Sequence, residues 1–357
     1  MGRFKRKKSG KKEVTVMTSN TRNDNMIKTL IVFDTNALRS TEAKQVAYSF
    51  FAFGKPFQLI EKYIITNSLS GSVHLAIPSW AIEELKDQKS RQYSEDVLKY
   101  AEVTERLQGL PNFQQVPFPQ EEFDCKAYIN EKADEFLLAK QFKILEIKDE
   151  LASNVLKSMM TRVLKEEKSK KPFAHSGKYK DAGFKDNIVW ESLMHFEEVE
   201  NYDKFIFVTK DTDYGNCQVE FKEKWNRHIV TLKDENSVIS ELFKDYELYI
   251  KERALYDYAH TEYFLNYLND ELEQKSDYVI ATGSEKIEFF KIIEPLVKIE
   301  RIPPNEDVDE SILIHSSLIT YRKQGNNNIE QNITAITKLV DDETKEIIET
   351  TFEPELI

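Results

Sequence analysis

Four acidic side chains lie where short apolar runs end or where helices are expected to begin. Asp34 follows the run TLIVF, and Glu84 closes the segment VHLAIPSWAIEE. Asp186 lies in GFKDNIVWESL, and Asp211 follows KFIFVTK. If buried strands bring these carboxylates to one edge of a sheet, they form a pocket of concentrated negative charge, which is stable only if it binds a cation or takes up protons. The combination indicates a metal-dependent enzyme that cleaves phosphodiester bonds.

The expected metal follows from the chemistry of the ligands. Mg²⁺ and Mn²⁺ are hard cations that prefer oxygen, so three or four converging carboxylates suffice without His or Cys. The candidate metal ligands, which are also the candidate catalytic residues, are Asp34, Glu84, Asp186 and Asp211. The expected nucleophile is a water molecule that the ion activates.

Neighbouring polar side chains are candidates for supporting this site. The supporting candidates are Asn36, Glu83, Thr209 and Asp213. Asn36 can hydrogen-bond around Asp34. Successive helical residues point about 100° apart, so only one of Glu83 and Glu84 can face the site.

Each acid taken alone also has a structural explanation. Asp34 begins Asp-Thr-Asn, a common Asx-turn or helix N-cap, and Asp186 also suits an N-cap. Glu83 and Glu84 could complement a helix dipole, and Asp211 could be a turn residue. Caps and turns explain each acid singly, but they explain less readily why all four acids occur in this order along the chain.

A basic segment leads directly into Asp186. Residues 165–185 contain seven Lys, and Phe, His and Tyr residues are interleaved with them. Lysines can pair with phosphates while aromatic faces stack on unpaired bases, so the segment is a candidate surface for RNA. The alternative is an ordinary solvated loop. The candidate substrate-binding residues are Lys170, Lys171, Lys178, Lys180 and Lys185.

The elements that must position these residues alternate between strand and helix patterns. Such alternation predicts an α/β fold with a parallel sheet, whose ligands bind beyond the carboxyl ends of the strands. Helices are expected around Glu42–Phe53, over Pro56–Ser68 and from near Trp80. The predicted strands are Thr29–Phe33, Val73–Ile77, Phe205–Thr209 and His228–Leu232.

The domain organisation follows from shifts in composition. Residues 1–28 are expected to be a flexible basic arm and residues 29–250 the α/β domain, with a helical insertion over about 90–166. Residues 251–357 predict a small α+β domain, because β-branched segments separated by KQGNNN and DDET are typical of an antiparallel meander. We recognise no chemistry in that domain, and its role stays open.

The order of the acidic motifs resembles that of the PIN-domain nucleases. The motifs are strand-D-T-N, P-x-x-x-x-E-E-L, K-D-x-I-V-W-E and strand-T-K-D-x-D-Y, spread over about residues 29–232. The resemblance best suits a branch with a long helical insertion before the third acidic motif. It implies a Rossmann-like parallel sheet flanked by helices, an acidic Mg²⁺ or Mn²⁺ centre made by the same four acids, and cleavage of RNA. Glu84 is preferred to Glu83 because the family's acid usually precedes Leu directly.

Composition limits the partners. The formal net charge is −12, yet residues 1–12 carry seven bases and no acid, so the remainder is at −19. A general duplex-DNA binder neutralises many phosphates, whereas the remainder of this chain is acidic. The composition therefore favours RNA over DNA as the partner, and it restricts nucleic-acid contacts to local patches. The sequence has no membrane-spanning run and no signal peptide, and its two cysteines suit a reducing compartment, so we expect a cytoplasmic protein.

Two other functions stay open at this point. One is a nuclease that cleaves single-stranded DNA within a defence or toxin system. The other is a catalytically inactive PIN-like binding module whose acids are caps and turns, since a fold does not guarantee a chemistry. Homo-oligomerisation is compatible with the sequence but is not indicated by any motif.

Overall fold

The structure, a computed structural model, describes residues 26–39, 47–114, 123–164, 183–214, 217–274, 296–302, 311–324 and 327–354. It divides the chain into two compact units. One comprises Met26–Asp245, and the other begins at Tyr246. The candidate residues Lys170, Lys171, Lys178 and Lys180 lie outside the described residues, as does the basic arm before Met26.

The first unit is built on a five-stranded parallel sheet. Its strand order is β3-β2-β1-β4-β5, and every pair is parallel. All five residues of the central strand β1 are buried, as expected of a strand with helices on both faces. The predicted α/β fold is thereby confirmed. The strands are β1 Thr29–Phe33, β2 Val73–Pro78, β3 Lys143–Leu145, β4 Lys204–Val208 and β5 Ile229–Leu232.

Helices connect these strands and continue into the second unit. The boundary between the two units falls within α8. Among the described helices, none is both long and apolar enough to cross a bilayer. The helices are α1 Thr35–Leu38, α2 Lys55–Thr66, α3 Ser79–Leu107, α4 Cys125–Leu138, α5 Ala152–Leu164, α6 Phe184–Met194, α7 Cys217–Trp225, α8 Glu235–Ala259 and α9 Glu262–Gln274.

The helix predicted around Glu42–Phe53 is wrong over its described part. Residues 47–54 form a turn and then an irregular segment, while residues 40–46 lie outside the described residues. Phe51 and Phe53 are both buried, with ring centroids 5.8 and 5.0 Å from that of Phe136 on α4. Side chains two residues apart share one side of an extended chain but point about 200° apart in a helix. Burying both rings against α4 therefore favours the extended conformation.

The predicted helical insertion is more closely integrated than expected. Helix α3 begins at Ser79 and runs without interruption to Leu107, so it joins the α/β domain to the insertion. The insertion also supplies β3, which pairs with the end of β2 and was not predicted. It is therefore part of the sheet rather than an appended helical bundle.

A buried ion-pair network holds the last helix of the insertion in place. Arg162 of α5 is 1% exposed, and its guanidinium donates to Glu191 of α6 at 2.8 Å and to both carboxylate oxygens of Glu220 of α7 at 2.8 and 2.9 Å. Ser158 donates to Glu191 at 2.6 Å, and the Trp190 indole N–H donates to Glu220 at 3.2 Å. Three helices are thus connected through one guanidinium.

The second unit has an antiparallel sheet of its own. Its strand order is β6-β7-β8-β9, which confirms the predicted meander and adds β6 to it. Leu255, Ala259 and Phe264 are buried with Ile314 and Ala335 in one apolar core. The strands are β6 Leu296–Ile302, β7 Ser311–Gln324, β8 Asn327–Leu339 and β9 Ile347–Pro354.

Removing the guanidinium of Arg162 is expected to destabilise the first unit strongly. Arg162→Met leaves two carboxylates without their partner, which should lower the free energy of unfolding by about 3–5 kcal/mol. The control is Arg91→Met, because Arg91 pairs with Asp87 at 2.7 Å but is 61% exposed, and exposed pairs contribute about 0–1 kcal/mol. Urea unfolding followed by tryptophan fluorescence measures both. Equal losses for the two variants would contradict a central role for the network.

Candidate active site

Asp34 lies at the carboxyl end of the central strand. Its N–H donates to the Val208 carbonyl at 3.0 Å, which extends the β1–β4 pairing by one residue. Only 1% of Asp34 is exposed. It occupies the N-cap position of α1, but its side chain makes no capping hydrogen bond. The cap interpretation of Asp34 therefore does not describe its side chain.

Thr209 connects Asp34 with Asp211. The buried Thr209 hydroxyl donates to Asp34 Oδ2 at 2.8 Å and accepts the Asp211 N–H at 3.0 Å. Asp211 is half-buried at the start of the loop after β4. Because β1 and β4 are neighbouring parallel strands, residues just beyond their carboxyl ends lie side by side.

The electrostatic environment of Asp34 disfavours its charge. Burial raises the pKa of Asp34 from its ordinary value of 3.8 to about 6, although hydrogen bonds from Thr209 and from the Thr35 backbone oppose the rise. The negative charges of Asp211 and Glu84 raise it further. Three of the four candidate carboxylates are therefore close enough to interact electrostatically.

Glu84 and Glu83 have different environments on α3. The Glu84 side chain is 15% exposed and accepts hydrogen bonds from Lys185 Nζ at 3.2 Å and from Gln88 at 3.3 Å. The Glu83 side chain is 61% exposed and pairs with Lys86 at 2.9 Å. The inward residue of the pair is thus Glu84, and only one of the two faces inward, as the angle between successive helical residues requires.

Asp186 lies in the first turn of α6, at its third residue. The N-cap is Gly183, whose φ of +94° is a conformation that glycine adopts readily. The alternative interpretation of Asp186 as the N-cap is therefore wrong. Asp186 is half-buried, and its main-chain carbonyl accepts a hydrogen bond from the Tyr214 hydroxyl at 3.2 Å.

Tyr214 is a residue of the site that the sequence analysis missed. It is fully buried, and burial raises its pKa well above the ordinary value, with the charges of Asp34, Asp186 and Asp211 adding to the rise. Its environment therefore includes the fourth carboxylate, Asp186. The sequence did point to this residue, because Tyr214 is the last residue of the motif T-K-D-x-D-Y.

The carboxylates share one region but do not converge on a common point. Within the described ranges, no group of three or more His, Cys, Asp or Glu side chains is placed to hold a metal ion. The arrangement thus has the oxygen chemistry that hard cations prefer without a preformed coordination shell. The Thr35 hydroxyl, next to Asp34, is buried and has no hydrogen-bond partner in the part of the chain that the structure describes.

The other predicted supporting residues lie at the edge of this region. Asn36 is exposed on α1, and its side chain makes no hydrogen bond to any residue that the structure describes. Asp213 belongs to a short 3₁₀ helix, Thr212–Tyr214, and its side chain lies outside the described residues. Neither is joined to the four carboxylates by a described side-chain contact.

Comparison with known proteins identifies the family. A family model described as the PIN domain matches residues 31–214, which is more than half of the chain. The chain belongs to the PIN-domain family. No curated protein matches it.

The PIN-domain match includes each candidate carboxylate. It begins two residues after the start of β1 and ends at Tyr214, so it contains Asp34, Glu84, Asp186 and Asp211 as well as the insertion. The resemblance seen in the sequence is confirmed at the level of the family. The PIN domain gives this chain a nuclease-type fold.

The raised pKa of Asp34 predicts that the stability of the PIN domain depends on pH when a chelator is present. The folded state binds this proton more tightly than the unfolded chain, so ionised Asp34 destabilises the fold at pH 7. The penalty decreases progressively as the pH falls from about 6 to 3.8, the ordinary pKa of the carboxyl. Between pH 7 and pH 5, the free energy of unfolding should rise by about 1 kcal/mol more than in Asp34→Asn, which cannot titrate at this position. Urea unfolding of both proteins at both pH values measures the difference. If the stability of the wild type and that of Asp34→Asn depend on pH in the same way, the pKa of Asp34 is not raised.

Proposed function

We propose that this PIN-domain protein is a ribonuclease that depends on Mg²⁺ or Mn²⁺ and hydrolyses phosphodiester bonds. The observation that carries the proposal is the environment of Asp34. This carboxylate is buried at the end of the central strand, is held by Thr209, and is raised in pKa partly by the charges of Asp211 and Glu84. A bound cation at Asp34 would relieve the negative charge that burial and these neighbours make unfavourable.

The residues proposed to hold the metal are those that the sequence analysis selected. Asp34, Glu84, Asp186 and Asp211 supply oxygen ligands only, which suits Mg²⁺ and Mn²⁺ and disfavours Zn²⁺. A bound divalent ion would activate water and stabilise negative charge on the phosphate. The unpartnered Thr35 hydroxyl supports a polar guest at this position, because buried hydroxyls normally find a partner.

The protein's own residues would orient the site. Thr209 fixes one oxygen of Asp34 and the backbone of Asp211, so these two groups move together. Tyr214 fixes the first turn of α6 through the Asp186 carbonyl. Lys185 neutralises Glu84 in this structure and is adjacent in sequence to Asp186, so it can pair with a substrate phosphate once Glu84 has another partner.

The proposed substrate is RNA rather than duplex DNA. A net charge of −12 is unfavourable for binding duplex DNA, because such binding neutralises many phosphates. It is compatible with local contacts to a single strand. Lys170, Lys171, Lys178 and Lys180 remain proposed contacts. The two alternatives, cleavage of single-stranded DNA and a non-catalytic binding module, are distinguished by the following experiment.

Substituting a proposed metal ligand is expected to abolish cleavage without unfolding the protein. Asp34→Asn and Glu84→Gln should each lower the rate of RNA cleavage in Mn²⁺ by about 100-fold or more, because each removes an anionic ligand. Glu95→Gln is the control, since Glu95 lies on the same helix as Glu84 and its side chain is 63% exposed. Labelled RNA and single-stranded DNA are incubated with Mn²⁺ or with chelator, and the products are resolved on a denaturing gel.

The melting temperature gives a second readout that does not depend on activity. Mn²⁺ should raise the melting temperature of the wild-type protein and of Glu95→Gln by several degrees, but not that of Asp34→Asn. If the protein cleaves single-stranded DNA but not RNA, the substrate is DNA rather than RNA. If Mn²⁺ neither shifts the melting temperature nor supports cleavage of either nucleic acid, the binding-module alternative is correct.

Replacing Lys185 is expected to affect metal and nucleic acid in opposite directions. Lys185→Met removes the cation that competes for Glu84, so the apparent affinity for Mn²⁺ should rise by up to about fivefold, since such a partly exposed pair contributes at most about 1 kcal/mol. Affinity for RNA should fall, because a phosphate partner is lost. Lys185→Arg should resemble the wild type, and Lys99→Met on the exposed face of α3 is the charge-matched control. Melting temperature against Mn²⁺ concentration and fluorescence anisotropy with RNA measure the two effects. If Lys185→Met weakens the binding of both Mn²⁺ and RNA, Lys185 does not exchange Glu84 for a substrate phosphate.

A further inference from the structure

A cavity beside Glu84 is lined by two residues of the candidate active site. It has a volume of about 380 Å³, and its walls come from α3, α4 and α6. Glu84 and its ion-pair partner Lys185 both line it. An occupant of the cavity would therefore contact one of the proposed metal ligands and its partner.

The cavity contains hydrogen-bond donors without partners. Lys126 and Asn130 lie one turn apart on α4, so they project from the same face of that helix. Neither side chain makes a hydrogen bond or ion pair with any residue in the described ranges. Trp80, at the start of α3, also lines the cavity, although its indole N–H is buried.

The acidic side chains of the cavity are already neutralised. Glu83 pairs with Lys86 at 2.9 Å, and Glu84 pairs with Lys185 at 3.2 Å. Asp87 pairs with Arg91 at 2.7 Å. The positive charge of exposed Lys126 has no such counterpart among the described residues, so it can pair with an anionic group that enters the cavity.

We propose that this cavity binds one nucleotide of the single-stranded substrate, next to the bond that is cleaved. Lys126 would pair with its phosphate, and Asn130 and the Trp80 indole would contact its base or sugar. The volume falls within the range of small-molecule sites, about 300–1,000 Å³. The inference rests on the proposed function, because the occupant is defined by its position beside the carboxylates.

The proposal also gives the insertion a role in recognition. Both unpartnered residues of α4 belong to the insertion, whereas the carboxylates belong to the elements that carry the acidic motifs. The PIN-domain sheet would then supply the chemistry and the insertion would determine which nucleotide lies beside the cleaved bond.

Binding of RNA to two matched variants tests the proposal. Lys126→Ala combined with Asn130→Ala should weaken the binding of a fluorescent single-stranded RNA by about tenfold and reduce the slope of log affinity against log salt by about one. Lys132→Ala is the control, because Lys132 lies on α4 outside the cavity and pairs with Glu135 at 2.7 Å. Its affinity should stay within about twofold of the wild type, allowing only for the loss of one distant charge. Anisotropy is measured in chelator at two salt concentrations, so that no cleavage occurs.

Cross-linking locates the bound nucleotide without relying on activity. RNA containing 4-thiouridine should cross-link on irradiation to peptides that contain Trp80 or Asn130 in the wild-type protein, and much less in the double variant. If the wild type cleaves RNA but the double variant matches Lys132→Ala in affinity, salt slope and cross-links, the cavity is not a subsite and the proposed function still stands. If the double variant loses affinity and cross-links while no protein cleaves RNA, the cavity binds a nucleotide but the proposed function fails.

Discussion

The candidate site depends on one electrostatic constraint, which is the concentration of like charges where the parallel strands end. An ionised carboxylate without water is unstable unless opposite charge or hydrogen bonds compensate it. Thr209 and the Thr35 N–H compensate Asp34 in part, and Lys185 compensates Glu84. The compensation is incomplete, because the pKa of Asp34 remains raised to about 6. The edge of the sheet therefore carries negative charge that the protein's own groups do not fully compensate.

The position of Asp186 depends on a second set of charges within the same unit. Asp186 and Glu191 lie on the same short helix, α6, and Glu191 is fixed by Arg162 of the insertion. Arg162 also binds Glu220 in two places, so α6 and α7 are held against α5 at once. A bidentate guanidinium allows little sliding between helices. The insertion thus sets where the third acidic motif lies relative to the sheet.

Local sequence patterns predicted most strands of the parallel sheet well. The features that they missed depend on contacts between residues that lie far apart in the sequence. The strands β1, β2, β4 and β5 lie within one residue of their predicted ends, because continuous apolar runs mark strands that are covered on both faces. Strand β3 has three residues, of which only Leu145 is buried, so it carries no such pattern. The interaction of Arg162 with two distant helices has no local signature at all. In the candidate site, helix geometry allowed only one of Glu83 and Glu84 to face inward, and the resemblance to the PIN-domain family selected Glu84. Lys126 and Asn130 gained meaning only from the packing of α4 against α3.

A purely structural role for the carboxylates is hard to reconcile with the burial of Asp34. An Asn at this position could still accept the Thr209 hydrogen bond and would carry no charge, and Asp34 does not cap α1 with its side chain. The fold therefore retains a destabilising group that its own packing does not require, which is the expected signature of a functional site. Because the chain as a whole is acidic, its overall field cannot attract a nucleic acid, and attraction must come from local cations. Lys126 and Lys185 lie at the cavity beside the carboxylates, where such cations would be effective.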